Sequence, residues 1–298
     1  MCGESISSGN LQMLKRYMIS KPKYAGTLTM KSLRVLRGLM AFLTSIPMKM
    51  DEDFLELSAS FMFLFPAIGA VIGFFAGLYS FFTNYFLSLF FGFFNTAFFG
   101  GSQTILFVYL TRGLASVMTL SFLLVLTGLQ HTDGLVDVGN ALGIRKASVE
   151  ERIEIAHAWI VTRSGALLAL FVSLCTLLPI FAVKPEAIIR VLIVAEVSAK
   201  LAMVTCGWQG TSLQRGKGSI FVDSMKDRHG LYLTSLAASL LISVMLLGLK
   251  GALAVTSGIV VGGLLIVLSK RVFGGVTGDI FGATNEIARM IALFALVL

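Results

Sequence analysis

His131-Thr132-Asp133-Gly134-Leu135-Val136-Asp137 sets an imidazole and two carboxylates directly after a long apolar run. On a helix, carboxylates four apart share a face, and the glycine between them removes a side chain that would keep a ligand from the backbone. A hard divalent cation bound to phosphate oxygens suits such a face. A second stretch, Gly274-Gly275-Val276-Thr277-Gly278-Asp279-Ile280-Phe281-Gly282-Ala283-Thr284-Asn285-Glu286, also follows an apolar run and offers carboxylates, hydroxyls and small residues. Together the two supply what holds a metal and a phosphate in a cleft between helix ends. The plainer alternative is that Asp133, Asp137 and Asp279 cap helices and the glycines make turns.

The elements that position these residues belong to a membrane. Of 298 residues 56% are hydrophobic and 13% charged, against about 25% charged in soluble domains, and the mean hydropathy is +0.87. Apolar segments long enough for about 30 Å of hydrocarbon recur after Phe54, and lipid permits them only as helices. The expected fold is all-α, a polytopic transmembrane bundle of about six spans (six to eight), near 58–83, 104–128, 165–183, 187–208, 231–249 and 252–269. Basic residues crowd the stretch before Asp53 and the loops 129–164, 209–230 and 270–286, whereas 84–103 carries no charge. Positive loops stay in the cytoplasm, so the N-terminus and the polar loops are expected there, in a cell inner membrane. The net charge of +8 is then a membrane signature rather than a sign of nucleic acid. Leu33 to Met48 is too short and too basic to span and reads as an interfacial or re-entrant helix. Ile287 to Leu298 reads as a partial seventh or surface helix. Residues 1–30 form a mobile basic tail and 31–298 one integral membrane domain. Cys2, Cys175 and Cys206 have no C-x-x-C spacing, which argues against a disulfide framework or a zinc site. The paired phenylalanines from Phe81 to Phe99 read as lipid-facing or packing aromatics.

The polar loops carry a resemblance. His131 to Asp137, followed by Asn140-Ala141-Leu142-Gly143, resembles the H-x-D-G-x-x-D stretch of cobalamin-5′-phosphate synthases, or adenosylcobinamide-GDP ribazoletransferases. Thr277 to Glu286 is similar to their T-G-D-x-x-G-A-x-x-E signature. Upstream, Leu36 to Pro47 resembles their opening f-l-T-x-x-P segment, and Phe65-Pro66-Ala67-Ile68-Gly69 with Gly73 the start of their first full span. The acidic matches are specific; the apolar ones alone are not.

The resemblance implies a magnesium-dependent membrane transferase that joins α-ribazole, or its 5′-phosphate, to adenosylcobinamide-GDP and releases GMP, a late step of cobalamin biosynthesis. It implies His131, Asp133, Asp137 and Asp279 as catalytic residues, and Asp133, Asp137, Asp279 and Glu286 as Mg2+ ligands. His131 reads equally as a base for the ribazole hydroxyl and as a structural hydrogen-bonder. Asn140, Arg163, Lys200, Arg215, Lys217, Thr277, Gly278 and Gly282 are the expected substrate contacts. The substrates and the bilayer are the expected partners, with no nucleic acid and with an oligomer allowed. The chain departs from the family pattern at Asn140, where those enzymes have Asp. It also lacks the Asp of their D-x-R-x-G-x-x-G stretch within Ala156 to Gly165, which leaves His157 and Arg163 as polar residues to take part of its role.

Glu196 and Lys200, four apart within a span, can pair on one face, while Arg112 in the outer third of its span has no assigned role. A CDP-alcohol phosphotransferase shares the chemistry, but its acidic pattern is absent. A transporter would put polar residues and broken helices near the bilayer midplane, whereas here they gather at one face.

Overall fold

The computed structural model describes residues 28–48, 53–144, 146–158, 160–213 and 216–298. Most of the expected N-terminal tail, residues 1–27, lies outside them, as does Arg215. The helices are α1 Leu28–Leu43, α2 Phe54–Ser60, α3 Phe65–Phe99 after a 3-10 turn at Met62–Leu64, α4 Thr104–Leu126, α5 Gln130–Leu142, α6 Val149–Ala156, α7 Arg163–Ala182, α8 Ile188–Gln209, α9 Lys217–Met225, α10 His229–Val272 and α11 Gly278–Val297. Among the described residues the one β feature is an isolated parallel bridge between Ser212 and Val276. The all-α expectation holds. Arg37–Leu298 forms one compact unit, and Met1–Leu36 belongs to another. At 16 residues α1 is about 24 Å long, shorter than a bilayer crossing.

The core is organised around α8, which is buried at every position from 194 to 207 and is packed by α3, α10 and α11. Small residues let the backbones touch, which is how helices associate where lipid removes the hydrophobic drive. On α3, a Cβ at Gly69 would stand 2.6 Å from the Glu196 carbonyl oxygen, and one at Gly77 2.6 Å from the Ile189 Cα. The two helices therefore run antiparallel. From α10, Gly258 faces Ser198 and Gly262 faces Ala202 in the same way, so its second limb runs parallel to α8.

Among the described residues five helices are long and apolar enough to cross a membrane: α3 with its leading turn, α4, α7, α10 and α11. In α10 the helical backbone breaks at Gly248 (φ 58, ψ −134). The backbone of Gly251 then comes back against Ser243, so α10 is a hairpin of two limbs, matching the two spans expected on either side of 250. Two expectations need correction. The uncharged stretch 84–103, read as a loop, is helical as far as Phe99, and its turn is confined to residues 100–103, with Gly100 and Gly101 left-handed (φ 58 and 83). Nor does the loop 270–286 extend to Glu286, because α11 starts at Gly278 and runs 20 residues. Its segment from Ile287 alone is short, but the helix begins nine residues earlier, and Glu286 and Arg289 pair inside the bundle.

Candidate active site

The site lies where α5 meets α11. After Leu126 the chain turns through two left-handed residues, Gly128 and Leu129 (φ 66 and 61), and α5 begins at once. Residues Gly134 and Gly282 bring α5 and α11 into backbone contact. A Cβ on Gly134 would lie 2.7 Å from the Asp279 carbonyl oxygen, and one on Gly282 3.0 Å from that of His131. This register sets the exposed Asp133 and half-buried Asp137 of α5 beside Asp279 in the first turn of α11.

Asp279 is held from two sides. Thr277 caps α11 by accepting from the Ile280 amide at 3.3 Å, and its hydroxyl donates to Asp279 Oδ2 at 3.2 Å. Across the gap, His157 Nε2 stands 3.3 Å from the same oxygen. Asp133, Val136, Asp137, Ala156, His157, Ile160 and Val161 line a cavity of about 360 Å³. The Asp137 carboxyl is pushed up from 3.8 to about 6, by burial first and then by the negative charges of Asp279 and Asp133, with His157 opposing. Crowded carboxylates of this kind favour a cation between them. Among the described residues no three His, Cys, Asp or Glu side chains are already arranged around one metal position, so a bound cation would have to draw the carboxylates together.

Several expected residues play a different part from an open ligand. His131 is 5% exposed, and its Nε2 has no hydrogen-bond partner. Burial, followed by the charges of Lys200 and Arg289, holds its imidazole well below the usual value, so it is neutral, and it is not among the cavity's lining residues. Asn140 is fully buried: its amide donates to the Ile160 carbonyl at 2.8 Å and its oxygen accepts from the Thr162 amide and hydroxyl at 3.0 and 2.8 Å. It pins the 160–162 wall of the cavity. Arg163, exposed, is the first residue of α7, which Thr162 caps.

Lys200 and Glu286 belong to a buried ionic network. Lys200 donates to Glu196 at 3.2 Å and to the Asn285 amide oxygen at 2.6 Å. Arg289 donates to both oxygens of Glu286 at 2.8 Å and also to Glu196. Two cations and two carboxylates thus tie α8 to α11, with Glu286 turned to Arg289. The sequence reading passed over Arg289, although its spacing three after Glu286 in an apolar stretch was the available signal. Close to the site, Gly218 of α9 packs against Thr277 and Gly278, where a Cβ would lie 2.6 Å from the Thr277 carbonyl carbon. The start of α9, which includes Lys217, is therefore beside the start of α11.

Relatives match the chain over most of its length. An adenosylcobinamide-GDP ribazoletransferase from Methanocella arvoryzae is 30% identical over 279 residues, covering 87% of this chain and 93% of its own. The one from Methanococcoides burtonii is 28% identical, covering 89% and 92%, and one from Escherichia coli is 30% identical, covering 62% and 75%. No solved structure matches. A family profile described as cobalamin-5-phosphate synthase spans residues 86–297, from the far half of α3 through both acidic helices, and the chain belongs to that family.

Proposed function

We propose that the chain is an adenosylcobinamide-GDP ribazoletransferase whose reaction takes place at the α5–α11 cleft. A ribose hydroxyl of α-ribazole that is also free in its 5′-phosphate loses its proton, and its oxygen forms a bond to the cobinamide-linked phosphorus of adenosylcobinamide-GDP. The bond from that phosphorus to GMP breaks, and adenosylcobalamin or its 5′-phosphate results. The observation that carries this reading is the meeting of Asp133, Asp137 and His157 at one cavity, with Asp279 3.3 Å from His157, in a chain of this family.

Mg2+ fits the donor set, since three carboxylates crowd together and burial and mutual repulsion hold one of them partly protonated. Asp133, Asp137 and Asp279 would hold it, and it would supply positive charge to offset the charge building up on the leaving GMP. The remaining work belongs to the chain. Thr277 and His157 fix the Asp279 carboxylate, and the first turns of α11 and α9 offer backbone N–H groups and positive dipole ends to phosphate oxygens. Of the two candidate imidazoles, His157 is the one in the cavity wall and is placed to accept the ribazole hydroxyl proton, whereas His131 is enclosed. Exposed Arg163 at the start of α7, with Arg215 and Lys217, would hold the nucleotide. We place these groups on the cytoplasmic side, where the basic loops gather.

Purified protein given adenosylcobinamide-GDP, α-ribazole and Mg2+ should release GMP, and chelation should stop it. Absence of release from folded protein would refute the reading. Unchanged rates in Asp133→Asn and Asp279→Asn would refute the site while leaving the family intact. Nothing in the comparisons favours a CDP-alcohol phosphotransferase or a transporter.

A further inference from the structure

Arg112 is the one charged residue in the sequence of α4, and the proposed reaction makes no use of it. It stands far from the cleft: α7 leads away from Arg163 for 20 residues, about 30 Å, to the turn Pro185–Ala187. That turn and Arg112 border the same cavity. The cavity, of about 390 Å³, has Asn84, Ser88, Arg112 and Glu186 among its polar lining residues and Phe91 and Phe107 among its apolar walls. A smaller recess with Ser80 and Ser116 adjoins it and also touches Arg112.

Three observations bear on what this cavity takes. Arg112 is half-buried, and among the described residues no carboxylate pairs with it; a guanidinium in an apolar helix is costly until it meets an anion. Glu186 lines the same space yet does not form an ion pair with Arg112, so the cavity presents one positive and one negative group held apart. Next to it along α3 and α4, Tyr85 and Tyr109 are 54% and 58% exposed, and exposed tyrosines on membrane helices sit at headgroup level.

We propose that this cavity binds the headgroup of an amine-bearing phospholipid, with the phosphodiester on Arg112 and the ammonium toward Glu186. Separated charges of opposite sign match a zwitterion whose phosphate and amine are joined by a short linker. The Ser88 hydroxyl remains to donate to an ester oxygen, and the Asn84 amide oxygen to accept from the ammonium.

Native mass spectrometry of the full chain, offered equal amounts of phosphatidylethanolamine and phosphatidylglycerol, tests this. The unaltered protein should retain one lipid and prefer phosphatidylethanolamine. Arg112→Gln should lose retention of both by about tenfold, the scale of one charge-assisted contact, while Arg112→Lys keeps it, which separates a lost anion contact from a misfolded helix. Glu186→Gln should still hold lipid but without preference. Equal retention by Arg112→Gln and the unaltered chain would overturn the proposal. So would displacement of the lipid by millimolar inorganic phosphate, which would mark a site for a soluble anion.

Discussion

At the scale of single residues, the three aspartates are distinguished by their surroundings. Asp137 carries the clearest signature, a carboxyl held near 6 by burial and by its acidic neighbours. In the unfolded chain it ionises near 3.8, so without divalent cation the folded protein loses stability as pH rises from about 3.8 to about 6, and the full cost persists above that. Asp137→Asn removes the cost, and allowing for solvent screening of a partly exposed group the gain at pH 7.5 should be about 1 kcal/mol. Thermal denaturation should show the variant more stable than the parent in chelator, with Mg2+ raising the parent's midpoint and leaving the variant's unmoved, while GMP release is lost. A parent protein indifferent to Mg2+ would count against a cation at this carboxylate. His157 acts on Asp279 from 3.3 Å, so His157→Ala should raise the Mg2+ needed for half-maximal GMP release by about 10- to 100-fold, the cost of losing an outer-shell partner. His157→Gln should recover part of it. The acidic residues were legible because their types and spacing survive without a fold. The roles of Asn140, Lys200 and Glu286 were not, because packing decides which partner uses up a polar group: the loop at Ile160 and Thr162 for Asn140, Asn285 of a distant helix for Lys200, and for Glu286 its helix neighbour Arg289 rather than the open cleft.

At the scale of elements, the cleft depends on how closely α5 and α11 approach. Gly134→Ala would place a methyl 2.7 Å from the Asp279 carbonyl oxygen and 2.9 Å from its Cα, and backbone cannot move aside as a flexible side chain does. The substitution gains up to about 1 kcal/mol of helix propensity, whereas overpacking costs about 1–3 kcal/mol. The net effect is a modest loss of stability with a larger loss of activity. A shift of about 1 Å at a reacting centre costs about 100-fold, so GMP release should fall by that order in protein that still elutes as folded. Charge supplies the second fastening, between α8 and α11. Arg289→Met would leave Glu196 and Glu286 buried with one cation between them, which should destabilise by about 3–5 kcal/mol. Unfolding in graded denaturing detergent would measure it, and adding Glu286→Gln should return part of the loss. Most spans were legible from apolar length, and the hairpin of α10 from its central glycines. The start of α11 was not, since a helix bearing Asp279, Glu286 and Arg289 looks like a loop until the buried pairing is seen.

At the scale of the whole molecule, α11 changes the topology that charge alone suggested. Six passes with the N-terminus inside would leave both chain ends on one side of the membrane. In the structure Asp279 opens α11 beside the cleft, while at the other end of that helix the Leu296 carbonyl accepts from Lys250 at 3.4 Å, next to the hairpin tip of α10. The tip follows a limb that begins at His229 on the cleft side, so it marks the far face, and α11 is one pass more than the loops implied. The cytoplasmic assignment of the cleft rests on the basic residues Arg152, Arg163, Arg228, Lys270 and Arg271, all in segments at the cleft end. A cysteine placed at His157 and one appended after Leu298 should therefore react with a membrane-impermeant maleimide from opposite sides, in a chain whose Cys2, Cys175 and Cys206 have been replaced. In right-side-out vesicles the C-terminal cysteine should label and the one at His157 only after permeabilisation. Labelling of both from the same side would remove α11 as a crossing helix. Labelling in the reverse order would keep the bundle but move the cleft to the outer face, away from the cytoplasmic nucleotide-linked substrate on which the proposed reaction depends.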